Sequence, residues 1–454
     1  MPRALPRLLT DGRALATLAV PLALTQLAQV AVTTTDTVMM GLLGTEALAA
    51  GGLAMVIFNQ LRTMGVGLVT AVGNQVAAAD ARGDSGELRD LVRASLLLAT
   101  LAGAAGAVLM VGIGHAVAWL GQDPGVVEAA KPVIYAMAPG LLPCLWFQAI
   151  RQFTVGMNRP QALLRITLAS IVVNIGLNWA FIHGVWIFPE LGLPGIGLAT
   201  SVVYTLTFLA LYASARRDPG LAPLLSLAVW KTRPATLRRL TALGGPIAAT
   251  YGSEAGFFSV VALLAGSFGT AALAAHTAVN QLVYIVFQIA VGLSHAASLG
   301  VSRQLAVGDT PGALRLRNTA LAWAAAVMAV VAVVYLTVPR LVLAPFLDAG
   351  DGDATGIAVH LLLVAAVLQF FDCTQNIGVG LLRGLDDTKG GFRLTLVGYW
   401  LVGLPAAALL GLTAGLGTTG IWLGLLIGLA TTAVLLMRRF TRKVAATAVA
   451  APAC

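Results

Sequence analysis

The chain has 454 residues, of which 58% are hydrophobic and only 10% are charged, and its mean hydropathy is +0.88. A soluble domain is about 25% charged, so these proportions exclude a soluble fold and predict an integral membrane protein with the lipid bilayer as its solvent. The net charge of +9 is attributed to basic loops that orient the chain in a membrane, and nucleic acid is not expected as a partner.

Twelve apolar segments, each long enough to cross a bilayer, follow one another along the chain. The first contains Asp36 and has a counterpart in the second half, so it is interpreted as a span and not as a cleaved signal peptide. The predicted spans are 15–41, 48–72, 91–113, 127–150, 162–183, 195–215, 240–264, 271–299, 317–338, 357–380, 393–412 and 417–437.

The positive charges support this number of spans. With both termini on one side, the Lys and Arg residues fall at the termini or in the loops of that side, except for Lys131, Arg340 and the intramembrane Arg62. Basic loops stay in the cytoplasm, so both termini are predicted to be cytoplasmic.

The two halves of the chain repeat one another at a spacing of about 225 residues. Residues 44–50 match residues 269–275 with one difference, and Pro21 in the first span matches Pro246 in the seventh. Six spans per repeat is an even number, so the halves enter the membrane in the same orientation, related by a pseudo-two-fold axis along the membrane normal.

We therefore predict an all-α integral membrane protein of two six-helix lobes. The N-terminal lobe covers 1–215, a cytoplasmic linker covers 216–239, and the C-terminal lobe covers 240–454. Rocking of two such lobes about a central cleft gives alternating access, which predicts a transporter.

Sixteen of the nineteen acidic residues lie in loops, tails or helix ends, and three lie well inside predicted spans: Asp36 in the first, Glu254 in the seventh and Asp372 in the tenth. A charge at the centre of a span opposes insertion by about 2.5–3.5 kcal/mol, and one intramembrane base, Arg62, cannot neutralise three acids. At least two of the acids are predicted to bind a coupling cation. Pairing with basic residues, or a place near the membrane interface, is the alternative.

The first lobe offers an oxygen-rich pocket for such a cation. Asn174 and Asn178 are four residues apart and share one helix face, and with Asp36 and Thr200 they can surround an ion. Interhelical hydrogen bonding is the alternative role of the two asparagines. Glu254 and Asp372 would form the site of the second lobe. Either site can serve H⁺ or Na⁺, which the sequence leaves open.

Two further features bear on the substrate. Arg62 either pairs with Asp36 or faces the cleft. Aromatic faces attract organic cations by about 0.5–2 kcal/mol each, although packing in the core or against lipid is the alternative role for each ring. The aromatic candidates for the cleft are Phe257, Tyr284, Phe287 and Phe371.

The sequence has no Walker phosphate-binding loop, no H-E-x-x-H metal motif and no nucleophile elbow. We therefore expect no enzymatic activity, no ATP hydrolysis and no cofactor. No resident metal is expected either, apart from Na⁺ as a coupling ion at Asp36 or at Glu254 and Asp372.

In these regions the chain resembles the MATE (multidrug and toxic compound extrusion) family, and it is most similar to the bacterial NorM-like branch. The resemblance rests on Pro21, Asp36-Thr-Val-Met-Met-Gly41, Asn174-x-x-x-Asn178, Leu193-Pro-Gly-Ile-Gly-Leu-Ala-Thr200, Gly245-Pro246, Glu254, Ala274-Ala-His276, Asp372 and Leu382-Arg-Gly384.

The resemblance implies export of cationic or amphipathic organic compounds from a monomer in the bacterial inner membrane, driven by inward H⁺ or Na⁺. It places the first-lobe cation site at Asp36, Asn174, Asn178 and Thr200, and the second at Glu254 and Asp372. Phe287 departs from a tyrosine of some Na⁺-coupled members, which removes a hydroxyl ligand. The alternatives are an exporter of one metabolite and a flippase of lipid-linked precursors, which would favour a basic cleft.

Overall fold

The structure is a computed structural model of the chain and describes residues 4–117, 124–185, 188–347 and 352–450. Throughout these residues the regular structure is helical, and twelve helices are long and apolar enough to cross a membrane. The predicted number of spans and the all-α class are confirmed. The chain is a multi-pass membrane protein.

We number the spanning helices α1 to α12 in chain order. Helix α4 contains a 3₁₀ turn at Ala138–Gly140, and α11 contains π-helical turns at Val397–Gly403 and Leu409–Thr413. The bounds are α1 Ala4–Leu42, α2 Thr45–Arg82, α3 Ser85–Ala116, α4 Pro124–Gly156, α5 Gln161–His183, α6 Leu193–Arg217, α7 Pro234–Gly266, α8 Thr270–Ala306, α9 Thr310–Thr337, α10 Gly352–Gly384, α11 Thr388–Thr413 and α12 Gly417–Ala450.

Most helices extend past the apolar segments that predicted them. Helix α2, for example, continues from the predicted end at residue 72 to Arg82, where Gly83 in a left-handed conformation (φ 71°) ends it. An apolar segment marks the part of a helix that lies in hydrocarbon, whereas the backbone hydrogen bonds continue until a capping residue stops them.

By internal contacts the chain divides into two units. The N unit is Leu24–Ala249, and the C unit is Met1–Ala23 together with Thr250–Cys454. Both division points lie inside spanning helices, shortly after Pro21 in α1 and shortly after Pro246 in α7. Proline removes a backbone hydrogen bond, so each of these helices lacks one backbone donor close to its division point.

The sequence repeat is also visible in the backbone of each half. Left-handed residues recur at the repeat spacing. Among the described residues even the two non-glycine residues with positive φ are a matched pair, Asn158 (63°) and Asp386 (58°). The matched glycines are Gly44 and Gly269 (114° and 103°), Gly83 and Gly308 (71° and 79°), and Gly192 and Gly417 (59° and 56°).

The helix caps repeat in the same way. The Asp84 carboxylate accepts a hydrogen bond from the Glu87 amide at 2.9 Å at the start of α3, and Asp309 accepts one from Gly312 at 2.8 Å at the start of α9. Such caps satisfy amide groups that the helix itself leaves unpaired. The duplicated turns are therefore built by the same residues for the same reason.

Close helix contacts are repeated as well. A Cβ added at Gly156 would lie 2.8 Å from the Gly73 carbonyl oxygen, and one added at Gly384 would lie 2.8 Å from that of Ser298. Helix α4 thus touches the backbone of α2, and α10 touches that of α8. Small residues allow this approach where lipid provides no hydrophobic force between helices.

Two arginines that the sequence assigned to loops are buried in helices instead. Arg151 in α4 and Arg383 in α10 are each 4% exposed. Arg151 donates hydrogen bonds of 3.1 Å to the side-chain oxygens of Gln148 and Gln26. The prediction was wrong here because the end of an apolar segment shows where an arginine lies along the helix. It does not show whether its side chain faces the protein interior.

Candidate cation sites

The Asp36 side chain lies in the interior of the N unit, with 1% of its surface exposed. Asn178 and Asn174 each donate an amide hydrogen bond to its Oδ1 atom, at 2.7 and 3.0 Å, and the Thr200 hydroxyl lies 3.3 Å from Oδ2. The four residues predicted for the first site are thus brought together by helices α1, α5 and α6.

Local helix geometry explains this arrangement. Asn174 and Asn178 stack one turn apart on the buried face of α5, so both amides reach the same carboxylate oxygen. The neighbouring threonine hydroxyls of α1 donate to carbonyls of their own helix three or four residues earlier, and so they do not compete for Asp36. These threonines are Thr33, Thr34, Thr35 and Thr37.

The oxygens of this site suit a small monovalent cation. Within the described part of the chain the buried Oδ1 atom of Asn178 has no hydrogen-bond partner, although buried polar atoms are normally paired. The Thr200 hydroxyl also lies 2.9 Å from the Ile196 carbonyl, and with one hydrogen it can donate to only one acceptor. Carboxylate, amide and hydroxyl oxygens are the ligands that hard cations prefer, and the carboxylate can equally take a proton.

Arg62 of α2 is half-buried and donates from Nε to Asn59 Oδ1 at 3.3 Å. The half-buried Tyr204 of α6 lies within electrostatic reach of both Arg62 and Asp36, and its ring packs 5.9 Å from that of Phe58. Sequence reasoning missed Tyr204, because a tyrosine in an apolar helix carries no pattern of its own. Because it interacts electrostatically with both the acid and the base, we assign it to this site.

The C unit contains the second pair of acids. Asp372 of α10 is 6% exposed, whereas Glu254 of α7 is half-buried, and their carboxylates lie within electrostatic reach of each other. Gln375, one turn beyond Asp372, donates from Nε2 to Glu254 Oε1 at 3.2 Å. The two acids predicted for the second site are therefore neighbours, and Gln375 is a member that the sequence did not reveal.

A π-helical turn of α11 lies against these acids. Its residue Tyr399 is 2% exposed and lies within electrostatic reach of both Glu254 and Asp372. The next residue, Trp400, donates from its indole nitrogen to the Ser253 hydroxyl at 2.8 Å. A π-helical turn interrupts the regular hydrogen bonding of a helix and is often found at functional sites, which agrees with its place beside the acid pair.

The four predicted cleft aromatics have different surroundings. Phe257 is 1% exposed and stacks on Tyr399 at a centroid distance of 4.9 Å, so the structure gives it a packing role in the core. Phe371 is half-buried against the same core. Tyr284 is 44% exposed and stacks on the half-buried Phe287 at 6.4 Å, so these two rings form a more open aromatic surface.

In both sites carboxylates lie inside spanning helices, beside amide and hydroxyl groups whose hydrogen bonds to the carboxylate an ion can replace. In a membrane, ionisable groups of this kind mark ion and substrate pathways. Fold and sites together thus define a polytopic membrane transporter.

Comparison with known proteins gives the family. The sequence profile of the MatE family matches residues 21–180 and 246–409, two segments that begin at the two matched prolines. The chain is 36% identical over 441 residues to the probable multidrug resistance protein NorM of Pseudomonas aeruginosa, covering 96% of this chain and 90% of that protein. It is 38% identical over 434 residues to the protein so named in Bradyrhizobium diazoefficiens, covering 93% and 91%.

A solved structure shows the same fold. The outward-facing conformation of a multidrug resistance MATE family transporter of the MOP superfamily superposes with a TM-score of 0.86 at 19% identity, covering 96% of each chain. The chain belongs to the MATE family and to its NorM-like branch. This membership confirms the resemblance and identifies a transporter, not an enzyme.

Proposed function

We propose that this protein exports organic cations and amphipathic compounds, multiple drugs among them, in exchange for inward H⁺ or Na⁺. The observation that carries the proposal is the burial of two unlike carboxyl sites in spanning helices, Asp36 with its amide donors and Glu254 with Asp372. The naming of the NorM relatives as probable multidrug resistance proteins supports the substrate class.

The geometry of the first site supports a coupling step at Asp36. Without a cation, the Asp36 carboxylate accepts hydrogen bonds from donors on α5 and α6. When Na⁺ or a proton binds to Asp36, it takes the place of these hydrogen bonds. The bonds that join α1 to α5 and α6 therefore change with cation loading. Since α1 passes between the two units near Pro21, such a change can be transmitted as bending of α1.

We further propose a monomer in the bacterial inner membrane, with both termini and the 216–239 linker in the cytoplasm, and we retain the predicted lobes 1–215 and 240–454. The distribution of basic residues supports this orientation. Fusion of a reporter that is active only in the cytoplasm to either terminus tests it. An inactive reporter at verified expression would contradict the orientation.

Drug export is tested in a host that lacks its own pumps. Expression should raise tolerance to organic cations such as ethidium, and Asp36→Asn and Asp372→Asn should each abolish this effect at unchanged expression, because each removes a carboxylate that binds the cation. Asp218→Asn, outside the spans, is the matched control and should keep full activity. Full activity of both site variants would refute the assignment of coupling to these acids.

The coupling ion is decided separately. Purified protein in liposomes is given either a Na⁺ gradient or a pH gradient, and substrate uptake is followed under each. Uptake driven by one gradient alone identifies the ion, and uptake driven by neither contradicts ion coupling.

A second candidate is export of one metabolite, or flipping of a lipid-linked precursor, with an acidic group on the substrate. The half-buried Arg62 close to Tyr204 favours it, because a base inside a span can pair with a carboxylate or phosphate. Arg62→Gln should lower transport of zwitterionic or anionic compounds and leave simple cations unaffected. Loss of both classes to the same extent would instead indicate a structural role.

A further inference from the structure

The side chain of Gln375 in α10 uses only one end of its carboxamide group. It is 1% exposed, and its Nε2 atom donates a hydrogen bond to Glu254 Oε1 at 3.2 Å. Its Oε1 atom is buried as well and has no hydrogen-bond partner within the described residues. Buried polar atoms are normally paired, and a carboxamide oxygen is an acceptor with two lone pairs. This oxygen is therefore suited to a bound ion or a bound water.

Helix geometry brings Gln375 close to Asp372. Residues three apart on a helix are neighbours on its surface, and side chains lean towards the N-terminus of the helix. Gln375 follows Asp372 by three residues, so its carboxamide leans towards the Asp372 carboxylate. Its hydrogen bond to Glu254 brings the acid of α7 to the same place. Three oxygen-bearing side chains from two helices thus meet around the carboxamide.

The first site contains the same arrangement. The Asn178 amide donates to Asp36 Oδ1 at 2.7 Å, while its own buried Oδ1 atom has no partner within the described residues. The repeat does not explain this likeness, because Asp36 corresponds to Val261 in the second half. Each unit therefore has its own carboxamide whose nitrogen binds a carboxylate and whose oxygen is left for another partner.

Gln369 shows that an unpaired oxygen alone does not make a cation ligand. It lies in α10 three residues before Asp372, is 2% exposed, and also has a buried Oε1 atom without a partner in the described residues. Its Nε2 atom, however, lies 3.4 Å from the Tyr335 hydroxyl of α9, and its side chain leans away from Asp372. Gln369 thus has the burial of Gln375 without a hydrogen bond to either acid.

We propose that Gln375 Oε1 is a ligand for Na⁺, forming a site of three oxygen-bearing side chains with the carboxylates of Asp372 and Glu254. Carboxylate and amide oxygens are the ligands that hard cations prefer. A neutral carboxamide coordinates Na⁺ through its oxygen but is not an ionisable group, so Gln375 favours Na⁺ over H⁺ at this site. The inference rests on the proposed function, since it assumes that this pair of acids binds the coupling cation.

The experiment measures equilibrium binding of radioactive Na⁺ to the full-length protein in detergent micelles. An Asp36→Asn background removes the first site, and a high pH keeps the carboxyl groups ionised. Gln375→Leu should raise the dissociation constant for Na⁺ by about 10- to 100-fold, at least the loss seen when a group supporting a metal ligand is removed. Gln369→Leu is the matched control and should leave the dissociation constant unchanged.

Gln375→Glu separates a ligand from a mere hydrogen-bond donor. Its ionised carboxylate keeps an oxygen for Na⁺ and adds a negative charge, but it cannot donate to Glu254. If Gln375 is a ligand, Gln375→Glu should bind Na⁺ at least as tightly as the background protein. If Gln375 only holds Glu254 in position, Gln375→Glu and Gln375→Leu should weaken binding alike, which would overturn the inference.

The remaining outcomes are also decisive. Unchanged affinity in Gln375→Leu would overturn the inference and leave a bound water as the partner of Oε1. If Gln375→Leu does not fold, Gln375→Glu decides alone, since weaker binding overturns the inference and equal or tighter binding supports it. A background protein that binds no Na⁺ also overturns it, although a pH gradient can still drive export. Failure of the proposed function is a different result, namely no substrate uptake under either gradient.

Discussion

The hydrogen bonds around Asp36 predict that its carboxylate is ionised in this conformation. The Asn178 amide lies 2.7 Å from Oδ1, at the short end of the range for bonds to charged acceptors, and the Asn174 amide shares the same oxygen at 3.0 Å. At 1% exposure no bulk water competes with these donors. A hydrogen bond to a charged group contributes about 1.5–3 kcal/mol. Neutral side-chain pairs between membrane helices average only about 0.6 kcal/mol.

A double-mutant cycle distinguishes an ionised Asp36 from a neutral one. Asp36→Asn, Asn178→Ala and the double variant are compared by reversible unfolding in mixed micelles at neutral pH, which gives the coupling energy of the pair. We expect about 1.5–3 kcal/mol for an ionised Asp36. The matched control is Gln369→Leu with Tyr335→Phe, a buried neutral pair at 3.4 Å, for which about 0.6 kcal/mol is expected. A coupling energy at Asp36 no larger than that of the control would refute an ionised carboxylate.

Two further predictions concern packing and pH. A Cβ at Gly398 would lie 1.7 Å from Thr432 Oγ1, so Gly398→Ala should push α11 from α12 and lower the free energy of unfolding by about 1–3 kcal/mol, as measured in the same unfolding assay. Gly391→Ala, where a Cβ would meet nothing within 4 Å, is the control, and equal stability of the two variants would contradict the packing argument. Outside the spans, the Arg159 guanidinium beside Asp218 holds the pKa of that carboxyl below its ordinary value. Because the folded-state pKa is the lower one, the contribution of this ion pair is complete above the ordinary pKa and is lost as the pH falls through the lowered one. Carboxyl chemical shifts should show the Asp218 midpoint move up in Arg159→Gln, and an unchanged midpoint would refute the pairing.

The fold could be predicted from the sequence because each of its determinants is local. An apolar segment of some twenty residues can only be a span, and a residue such as Gly83 or Asp84 fixes a turn or a cap wherever it occurs. The acids could be found for the same reason, since Asp36 and Asp372 interrupt apolar helices at a cost that a purely structural position would avoid.

The remaining members of the sites could not be found in this way. Tyr399 and Gln375 are common residues in membrane helices, and only the packing of α7, α10 and α11 shows that they surround the acids. The burial of Arg383 depends on which way the last turn of α10 faces, which neither hydropathy nor the distribution of positive charge reports. The side of a helix on which a residue lies matters only once the helices are packed together. The positions of Tyr399 and Gln375 beside the acids, and the burial of Arg383, depend on that packing.

The duplication explains why the scaffold was predictable and the chemistry was not. Positions at which the backbone restricts the residue, such as the left-handed Asn158 and Asp386, are matched between the halves. The chemical positions are not matched, since Asp36 corresponds to Val261, a residue fully buried in the apolar core of the C unit. A left-handed turn tolerates few residues after duplication, whereas a carboxylate can be lost from one copy as soon as another position supplies the charge. The unlike surroundings of Asp36 and of Glu254 with Asp372 follow from this difference, so the two cation sites are expected to load independently and with different affinities.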